Sequence, residues 1–335
     1  MRAAVLREPA PVESRPLSIE EVQRPRPGAG EVLLRVLACG VCRTDLHIVE
    51  GELAPPKLPL IPGHQVVGIV EEAGEGVDPG LVGRRVGVPW LYYACGRCKY
   101  CRRGLENLCE NALFTGYNVD GGYAEYMVAK ADFVHEIPAP LGSVEAAPLL
   151  CAGAIGYRSL KLSGVLERPG SLLGLFGYGS AAHLVLQVAR RLGARVYVFT
   201  TSPWKVEAAL KAGAEWAGPP TSDPPEKLDA AIVYAPASTI FVEALKKVDR
   251  GGRVVLSEIY MSPIERLDYR LLWHEREVKS VANVTRADVR EILGLASSLG
   301  VRPEVKAYEL DEANEALMDL KRGRHVGQIV LTISS

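Results

Sequence analysis

The sequence has little of several features, and each shortage narrows the class of protein. Its charged residues nearly cancel to a net charge of −1 and form no basic block, which argues against nucleic-acid or membrane-surface partners. No apolar run approaches the roughly 20 residues that span a bilayer. The first segment, MRAAVLREPAP, lacks the apolar core of a signal peptide. We therefore expect a cytoplasmic protein with no membrane segment.

The chain is long enough for two domains. Its 335 residues exceed what one hydrophobic core usually serves. Residues 1–150 consist of short β segments separated by glycine and proline, whereas apolar runs alternate with helical stretches from about residue 150. The second pattern predicts an α/β fold, a parallel sheet with helices on both faces. The tail from about residue 285 is predicted to add two helices and a closing strand to the first domain.

Four of the seven cysteines follow one another at C-x2-C-x2-C-x7-C spacing. They are Cys95, Cys98, Cys101 and Cys109. Four thiolates at this spacing can surround one tetrahedral Zn²⁺ and leave no position for a substrate, so we predict a structural zinc. Disulfides, an iron–sulfur cluster and unrelated thiols are the alternatives. Metal-type spacing and an odd number of cysteines fit a reducing cytoplasm.

A glycine-rich segment follows the apolar run that ends at Phe176. Its residues are Gly177, Tyr178, Gly179, Ser180, Ala181 and Ala182. In this G-x-G-x-x-A pattern the glycines allow a tight turn and close approach of a pyrophosphate, and the small last residue lets the helix pack on the strand. Because the segment lies between a predicted strand and a predicted helix, we predict dinucleotide binding. The alternative is a glycine turn that only packs.

The next predicted strand ends where a carboxylate often binds the ribose 2′-hydroxyl of the cofactor. This chain has hydroxyl groups and one lysine there instead: Thr200, Thr201, Ser202 and Lys205. A carboxylate would repel a 2′-phosphate, whereas hydroxyls with a lysine would accept it. We therefore predict that NADP(H) is favoured over NAD(H). The alternative is that Lys205 is only a solvated residue of the next helix.

Cys42, His64 and Cys151 form a second candidate metal set. A catalytic zinc needs three protein ligands and one exchangeable position, and two cysteines with one histidine meet that need. Spacing alone leaves open a second interpretation, three buried residues without a metal.

Taken together and in order, these motifs resemble the zinc-dependent medium-chain alcohol dehydrogenase family over essentially the whole chain. The motifs include CRTDLH from Cys42, the Gly63-His64 pair, the four-cysteine segment, CAG from Cys151 and the glycine loop. The resemblance implies a discontinuous GroES-like catalytic domain at 1–151 and 285–335, with a structural zinc loop at about 95–109. It also implies a Rossmann domain at 152–284, with the active site in the cleft between the domains.

The resemblance also implies roles for individual residues. Cys42, His64 and Cys151 would bind a catalytic zinc, with Asp45 orienting His64. Thr44 would carry the proton of the substrate, by way of cofactor hydroxyls, toward His47. Arg43 would contact the cofactor pyrophosphate. Two zinc ions per chain are therefore expected.

The implied activity is the interconversion of alcohols with aldehydes or ketones by hydride transfer. Leu53 and Trp90 match substrate-cleft positions, which favours apolar or aromatic primary alcohols and aldehydes. The alternatives are polyols, hydroxy-amino acids or cinnamyl-type alcohols as substrates, or a non-enzymatic nucleotide- and zinc-binding protein. By the same resemblance we expect a homodimer or homotetramer that forms through an edge strand near RVVLSEI.

Two positions depart from the family pattern. Gln65 follows the predicted zinc-binding histidine where a glutamate is usual, and we hypothesise that it weakens a transient carboxylate–zinc contact. Gln328 stands where an arginine often holds the pyrophosphate, a change that would loosen cofactor binding unless another cation such as Arg324 compensates.

Overall fold

The computed structural model describes residues 1–323 and 327–333, so Arg324 lies outside the described residues. The chain divides into two compact units. The first contains Met1–Cys151, Asn283–Ser297 and the described residues from Pro303 onward, and the second contains Ala152–Ala282 and Ser298–Arg302. In the described part of the chain, no helix combines the length and apolar character needed to cross a bilayer.

Seventeen strands and eight α-helices are present among the described residues. The strands are β1 (Arg2–Leu6), β2 (Leu17–Glu21), β3 (Glu31–Val41), β4 (Val66–Ala73), β5 (Arg85–Val88), β6 (Leu91–Tyr93), β7 (Leu113–Phe114), β8 (Tyr126–Lys130), β9 (His135–Glu136), β10 (Leu172–Phe176), β11 (Arg195–Phe199), β12 (Trp216–Gly218), β13 (Leu228–Val233), β14 (Val248–Leu256), β15 (Glu277–Ser280), β16 (Val305–Glu309) and β17 (Gln328–Thr332). The helices are α1 (Arg43–Glu50), α2 (Ser143–Ala146), α3 (Ala152–Ser163), α4 (Ser180–Arg191), α5 (Pro203–Lys211), α6 (Ser238–Lys247), α7 (Arg286–Leu299) and α8 (Ala313–Arg322).

The first unit is rich in β structure. Its main sheet has the order β16-β17-β3-β4-β5-β9, and β8 also pairs with β3. The long β3 is almost wholly buried, because it is held between neighbouring strands and packs on the core of the unit. Its last residue, Val41, leads straight into α1, so the central strand of the sheet delivers Cys42 and α1 to one end of the core.

The second unit is a parallel sheet of six strands in the order β12-β11-β10-β13-β14-β15. Counted within the unit this is the 3-2-1-4-5-6 order of a doubly wound Rossmann sheet, and nucleotides bind where that order reverses. The reversal lies at β10, whose five residues are all buried and which runs into the glycine loop. The predicted α/β fold is confirmed.

Three strands differ from the sequence-based expectation. The first four residues of RVVLSEI end β14, which has neighbours on both sides, and the edge of the sheet is β15 instead. The expectation of an edge strand at RVVLSEI was therefore wrong. β15 has the sequence EVKS and is exposed throughout, so no apolar pattern marked it as a strand. β16, which pairs in parallel with β17, was likewise missed because its residues are largely exposed.

Candidate active site and cofactor loop

Three separate segments of the first unit bring the second candidate metal set together. Cys42 is the N-cap residue of α1, His64 lies in the loop before β4, and Cys151 follows the short turn Ala147–Leu150. Their candidate ligand atoms all lie within 4.8 Å of one another. Residues that are far apart in the sequence therefore form one cluster of two thiols and an imidazole.

The hydrogen bonding of His64 fits a metal ligand. The side chain is fully buried, and Nδ1 donates to Oδ1 of Asp45 at 2.8 Å. Nε2 is buried without a hydrogen-bond partner among the described residues. An unpaired buried nitrogen is costly, and a free imidazole lone pair beside two thiols is a donor set that zinc prefers. The residues present thus fit a bound Zn²⁺.

Asp45 connects two members of this cluster. It is fully buried in the first turn of α1, where Oδ2 accepts from the backbone N–H of Cys42 at 2.9 Å while Oδ1 accepts from His64. Because Asp45 holds the hydrogen on Nδ1 of His64, Nε2 is the nitrogen left to bind a metal ion. Sequence reasoning predicted that Asp45 orients His64, and its effect on metal binding stays a prediction.

The electrostatics of the cluster favour a bound cation. Burial lowers the pKa of His64, but the Asp45 carboxylate and then Cys42 outweigh it and raise that pKa to about 10. Without a metal ion Nε2 would therefore also carry a proton, which a bound Zn²⁺ would replace. Hydrogen bonding from Cys151 lowers the pKa of Cys42 well below its usual range, and the same contact raises the pKa of Cys151. Two adjacent thiols resist ionising together unless a cation balances their charge.

The four-cysteine segment forms a separate cluster in the first unit. The sulfurs of Cys95, Cys98, Cys101 and Cys109 all lie within 4.8 Å of one another. Backbone N–H groups of Cys95, Cys98 and Cys101 point at sulfurs of this cluster at 3.3 to 3.5 Å. Such contacts stabilise thiolates, and hydrogen bonding from the backbone of Arg97 is the largest influence that lowers the pKa of Cys95 to about 6. None of the seven cysteines forms a disulfide.

An arginine at the start of α7 anchors this cysteine lobe. The Arg286 guanidinium donates to both carboxylate oxygens of Glu106, a residue between the third and fourth cysteines. The Arg286 backbone N–H also bonds to Glu106, and the guanidinium lies 4.6 Å from the ring centre of Phe133. A bidentate charged pair of this kind fixes orientation as well as distance.

The residues predicted to handle the proton lie on α1. Thr44 Oγ1 is 3.8 Å from the sulfur of Cys42, and His47 follows three residues later on the same side of the helix. Nδ1 of His47 contacts the carboxylate of Glu52. Arg43, the first residue of α1, is exposed.

An aromatic cluster lies beside His64. Trp90 meets the imidazole edge-on, with ring centres 4.9 Å apart, and stacks on Phe114 at 5.1 Å. Tyr117 lies 5.9 Å from Trp90, and its hydroxyl donates to the Ala54 carbonyl. The sequence predicted Trp90 and Leu53 but not Phe114 and Tyr117; the Leu53 backbone N–H donates to the His47 carbonyl at 3.0 Å. The signal for Phe114 and Tyr117 was a pair of aromatic side chains just after Cys109, the fourth cysteine of the clustered segment.

The glycine loop of the second unit has the backbone geometry that its pattern requires. Gly177 has φ of +96°, and a Cβ there would meet the Tyr234 carbonyl oxygen at 3.2 Å. Gly179 is exposed and has open space around its missing Cβ, so a ligand can approach the backbone. Ser180 and Ala181 begin α4, and Ala182 is buried. The loop therefore presents the N-terminus of a helix, which suits a phosphate.

The turn after β11 holds the residues predicted to meet the ribose end of the cofactor. Thr200 is buried and its Oγ1 accepts from the Ser202 backbone, whereas Thr201 is exposed. Lys205 lies in the first turn of α5, with its ammonium 5.3 Å from the ring centre of Trp204. No carboxylate occurs between Thr200 and Lys205.

The two unusual glutamines are buried near the end of β3. Both polar atoms of the Gln65 side chain, Nε2 and Oε1, lack a hydrogen-bond partner among the described residues. Gln328 donates to the Val41 carbonyl at 2.7 Å and so joins β17 to β3. Gln328 thus has a structural contact, and its effect on cofactor binding stays a prediction.

Comparisons with known proteins agree with this geometry. The profile of the alcohol dehydrogenase GroES-like domain matches residues 28–139, and that of the zinc-binding dehydrogenase domain matches residues 182–298. The "Probable alcohol dehydrogenase AdhA" of Mycobacterium tuberculosis (strain CDC 1551 / Oshkosh) is 43% identical, over 99% of this chain and 97% of that protein. An alcohol dehydrogenase of Geobacillus stearothermophilus is 42% identical, with 99% of each chain covered.

Solved structures give the same result. A thermostable alcohol dehydrogenase from Pyrobaculum aerophilum superposes with a TM-score of 0.90 at 29% identity, covering 99% of each chain. The cinnamyl alcohol dehydrogenase SbCAD4 of Sorghum bicolor superposes with a TM-score of 0.89 at 28% identity, covering 99% of this chain and 97% of that one. The chain belongs to the zinc-dependent medium-chain alcohol dehydrogenase family, so the predicted resemblance is confirmed. Its relatives are enzymes of alcohol oxidoreduction.

Proposed function

We propose that this protein is a zinc-dependent alcohol dehydrogenase or aldehyde reductase that uses a nicotinamide cofactor. The observation that carries the proposal is the cluster of Cys42, His64 and Cys151, with Asp45 holding His64 in the tautomer that leaves Nε2 free. A zinc ion bound there would act as a Lewis acid that polarises the oxygen of the substrate. Cys42 and Cys151 would supply the negative charge that holds the ion, and Asp45 would fix the imidazole.

Residues of α1 would manage the substrate proton. The Thr44 hydroxyl, beside Cys42, can accept a hydrogen from an alcohol and donate its own. His47 lies on the same side of α1 and contacts the exposed Glu52, which gives the proton a route to solvent. A chelator that strips zinc from Cys42, His64 and Cys151 should abolish turnover of alcohols, and added Zn²⁺ should restore it. Turnover that persists after complete chelation would refute the proposal, as would binding of zinc and nucleotide without turnover of any alcohol or aldehyde.

The four-cysteine cluster would hold a second, structural zinc. All four ligand positions come from the protein, so this ion would stabilise its lobe without contacting substrate. Two zinc ions per chain by elemental analysis is the expected result, and one would contradict it. Because all seven cysteines are unpaired, we assign the protein to the reducing cytoplasm. Recovery of the native protein outside the cytoplasmic fraction of its cells would contradict that assignment.

We favour NADP(H) over NAD(H) as the cofactor. The turn after β11 offers the hydroxyls of Thr200, Thr201 and Ser202 with the Lys205 ammonium, and no carboxylate that would repel a 2′-phosphate. The test is kcat/KM for both cofactors in the native protein and in Thr201→Asp. NADP(H) should be preferred by the native protein, and the added carboxylate should reverse that preference. A native preference for NAD(H), or a variant with unchanged preference, would refute the assignment.

We favour apolar or aromatic primary alcohols and aldehydes as substrates. Trp90, Phe114 and Tyr117 form an aromatic cluster beside His64, and such a surface attracts planar apolar groups. Cinnamyl-type alcohols are the second candidate, supported by the same cluster and by the name of the Sorghum bicolor relative. Benzyl and cinnamyl alcohols should have a higher kcat/KM than glycerol, sorbitol and threonine. Trp90→Ala should reduce this difference in kcat/KM. A preference for polyols or hydroxy-amino acids would overturn this choice.

We further propose that the protein forms homo-oligomers through β15. This edge strand is fully exposed, and the preceding segment exposes Ile259, Tyr260, Tyr269 and Trp273. An open strand edge beside exposed aromatic side chains suits pairing with a second copy. Sedimentation should give a dimer or tetramer, and Val278→Asp on β15 should reduce its size. Val82→Asp, an exposed valine of the other unit, is the matched control, and a monomeric native protein would refute the idea.

A further inference from the structure

The glycine loop is linked to the rest of the second unit by a series of hydrogen-bonded polar side chains. Tyr178, between the two glycines, is buried and so is His183 in α4. The tyrosine hydroxyl and Nδ1 of His183 are 3.0 Å apart. Nε2 of His183 lies 3.0 Å from Nε2 of Gln187, one helical turn further on. A loop that contacts phosphate is therefore linked, side chain to side chain, with the helix that follows it.

The hydrogen bonds between Gln187 and the Arg302 backbone, at one end of this series, set the direction of its other hydrogen bonds. Gln187 Oε1 accepts from the backbone N–H of Arg302 at 3.3 Å, and its Nε2 donates to the Arg302 carbonyl at 2.9 Å. A backbone N–H and C=O together allow only one orientation of the amide. Nε2 of Gln187 is therefore a donor, and Nε2 of His183 must accept. It follows that Nδ1 of His183 carries the hydrogen and donates it to the Tyr178 hydroxyl.

We propose that His183 is a positioning residue for cofactor binding, which fixes the phosphate loop through a hydrogen bond from its Nδ1 to Tyr178. Gln187 and the Arg302 backbone hold His183 in the neutral tautomer that can donate in that direction. This inference rests on the proposed use of a nicotinamide dinucleotide. It adds a requirement that the G-x-G-x-x-A pattern does not contain, because the pattern assigns no function to the side chain between its glycines.

The physical role of the bond is to keep the loop in its binding conformation before the cofactor arrives. Gly177 and Gly179, on either side of Tyr178, have no side chains to restrict their backbone. With the Tyr178 ring buried and its hydroxyl held, the residue between them has one position. A loop that is ordered in advance loses less conformational entropy on binding. Loss of the hydrogen bond should therefore raise the cofactor dissociation constant and leave the rate of the chemical step unchanged.

The experiment measures dissociation constants for NADP(H) and NAD(H) together with kcat at saturating cofactor. The variants are His183→Leu, which removes the donor, Tyr178→Phe, which removes the acceptor, and the two combined. We expect each single variant to raise the dissociation constant by about three- to tenfold, the effect of one buried hydrogen bond. The double variant should bind no worse than either single one, and kcat should be unchanged or higher.

Two further variants separate positioning from packing. His183→Asn keeps an amide N–H close to the place of Nδ1 and should restore most of the lost affinity. Val188→Ala makes a cavity elsewhere in α4, and it should lower thermal stability while binding stays native.

Native cofactor affinity in His183→Leu would overturn the inference. Additive losses of cofactor affinity in the double variant, or no recovery of that affinity in His183→Asn, would also overturn it. If Val188→Ala weakens binding as much as His183→Leu does, the role of His183 is only structural. A native protein that binds neither cofactor would refute the proposed function itself. Native cofactor binding with unaffected His183 variants would refute only the positioning role.

Discussion

Asp45→Asn is the substitution that tests the metal site most selectively. The carboxylate uses both oxygens as acceptors, from the Cys42 backbone N–H at 2.9 Å and from His64 Nδ1 at 2.8 Å. Asparagine has nearly the same shape but a single acceptor oxygen. Its amide nitrogen must therefore face one of these two donors. The change should remove one hydrogen bond to a charged group without opening a cavity.

The size of the effect follows from that lost bond. A hydrogen bond to a charged group contributes about 1.5 to 3 kcal/mol. At about 1.4 kcal/mol for each tenfold change, this is roughly a 10- to 150-fold loss of zinc affinity. The range agrees with the loss of about 10- to 100-fold that usually follows removal of the partner of a metal-binding histidine.

The assay is zinc content and activity after dialysis against increasing concentrations of a chelator. The four-cysteine cluster is an internal reference, because the hydrogen bonds of Asp45 among the described residues go to Cys42 and His64. In Asp45→Asn the zinc bound by Cys42, His64 and Cys151 should leave at a roughly 10- to 100-fold lower chelator concentration. Activity should fall in parallel, and the zinc of the four-cysteine cluster should be retained. Asp78→Asn, which alters an exposed cap of a short turn in the same unit, should behave as the native protein does. Native zinc retention in Asp45→Asn, or simultaneous loss of both ions, would refute the reasoning.

Three other substitutions test separate parts of the account. Gly177→Ala should raise the cofactor dissociation constant at least about tenfold in a binding titration, since the residue has φ of +96° and the new Cβ would meet the Tyr234 carbonyl; native affinity would contradict this. Arg286→Ala should lower the free energy of unfolding by about 2 kcal/mol in denaturant titrations at neutral pH. Burial raises the pKa of Glu106, but Arg286 outweighs burial and the net shift is downward. The loss of unfolding free energy in Arg286→Ala should therefore shrink as the pH falls through the pKa of Glu106 in the folded protein. A loss of stability that does not depend on pH would argue against the ion pair. Gln65→Glu should speed the exchange of isotopically labelled zinc, because it adds an oxygen ligand beside His64, and unchanged exchange would count against the hypothesis.

Much of the fold could be predicted because its patterns are local. The apolar runs of β10 and β11 and the glycines between β10 and α4 identify a Rossmann unit without knowledge of any contact. β15 could not be found in this way. Its residues are exposed, and its strand conformation comes from pairing with β14 rather than from burial of its own side chains.

The residues of the two candidate metal sites also differ in how well local sequence patterns predict them. The four cysteines of the structural lobe are close in the sequence, so their spacing alone indicates a cluster. Residue types alone could group Cys151 with Cys42 and His64, but only the family resemblance favoured a metal site over three unrelated buried residues. The contact depends on the fold of the whole first unit, which spacing does not reveal. The series of hydrogen bonds from Tyr178 to the Arg302 backbone could not be predicted from the sequence. It depends on side-chain orientations and on a distant backbone segment.

Anomalous diffraction at the zinc absorption edge, from crystals of the native protein, would test the central claim most directly. The account predicts two peaks per chain, one among the four clustered cysteines and one at about 2.3 Å from the sulfurs of Cys42 and Cys151 and about 2.0 Å from Nε2 of His64. Ordered density for these three side chains with no anomalous peak between them, in crystals of active protein, would contradict it.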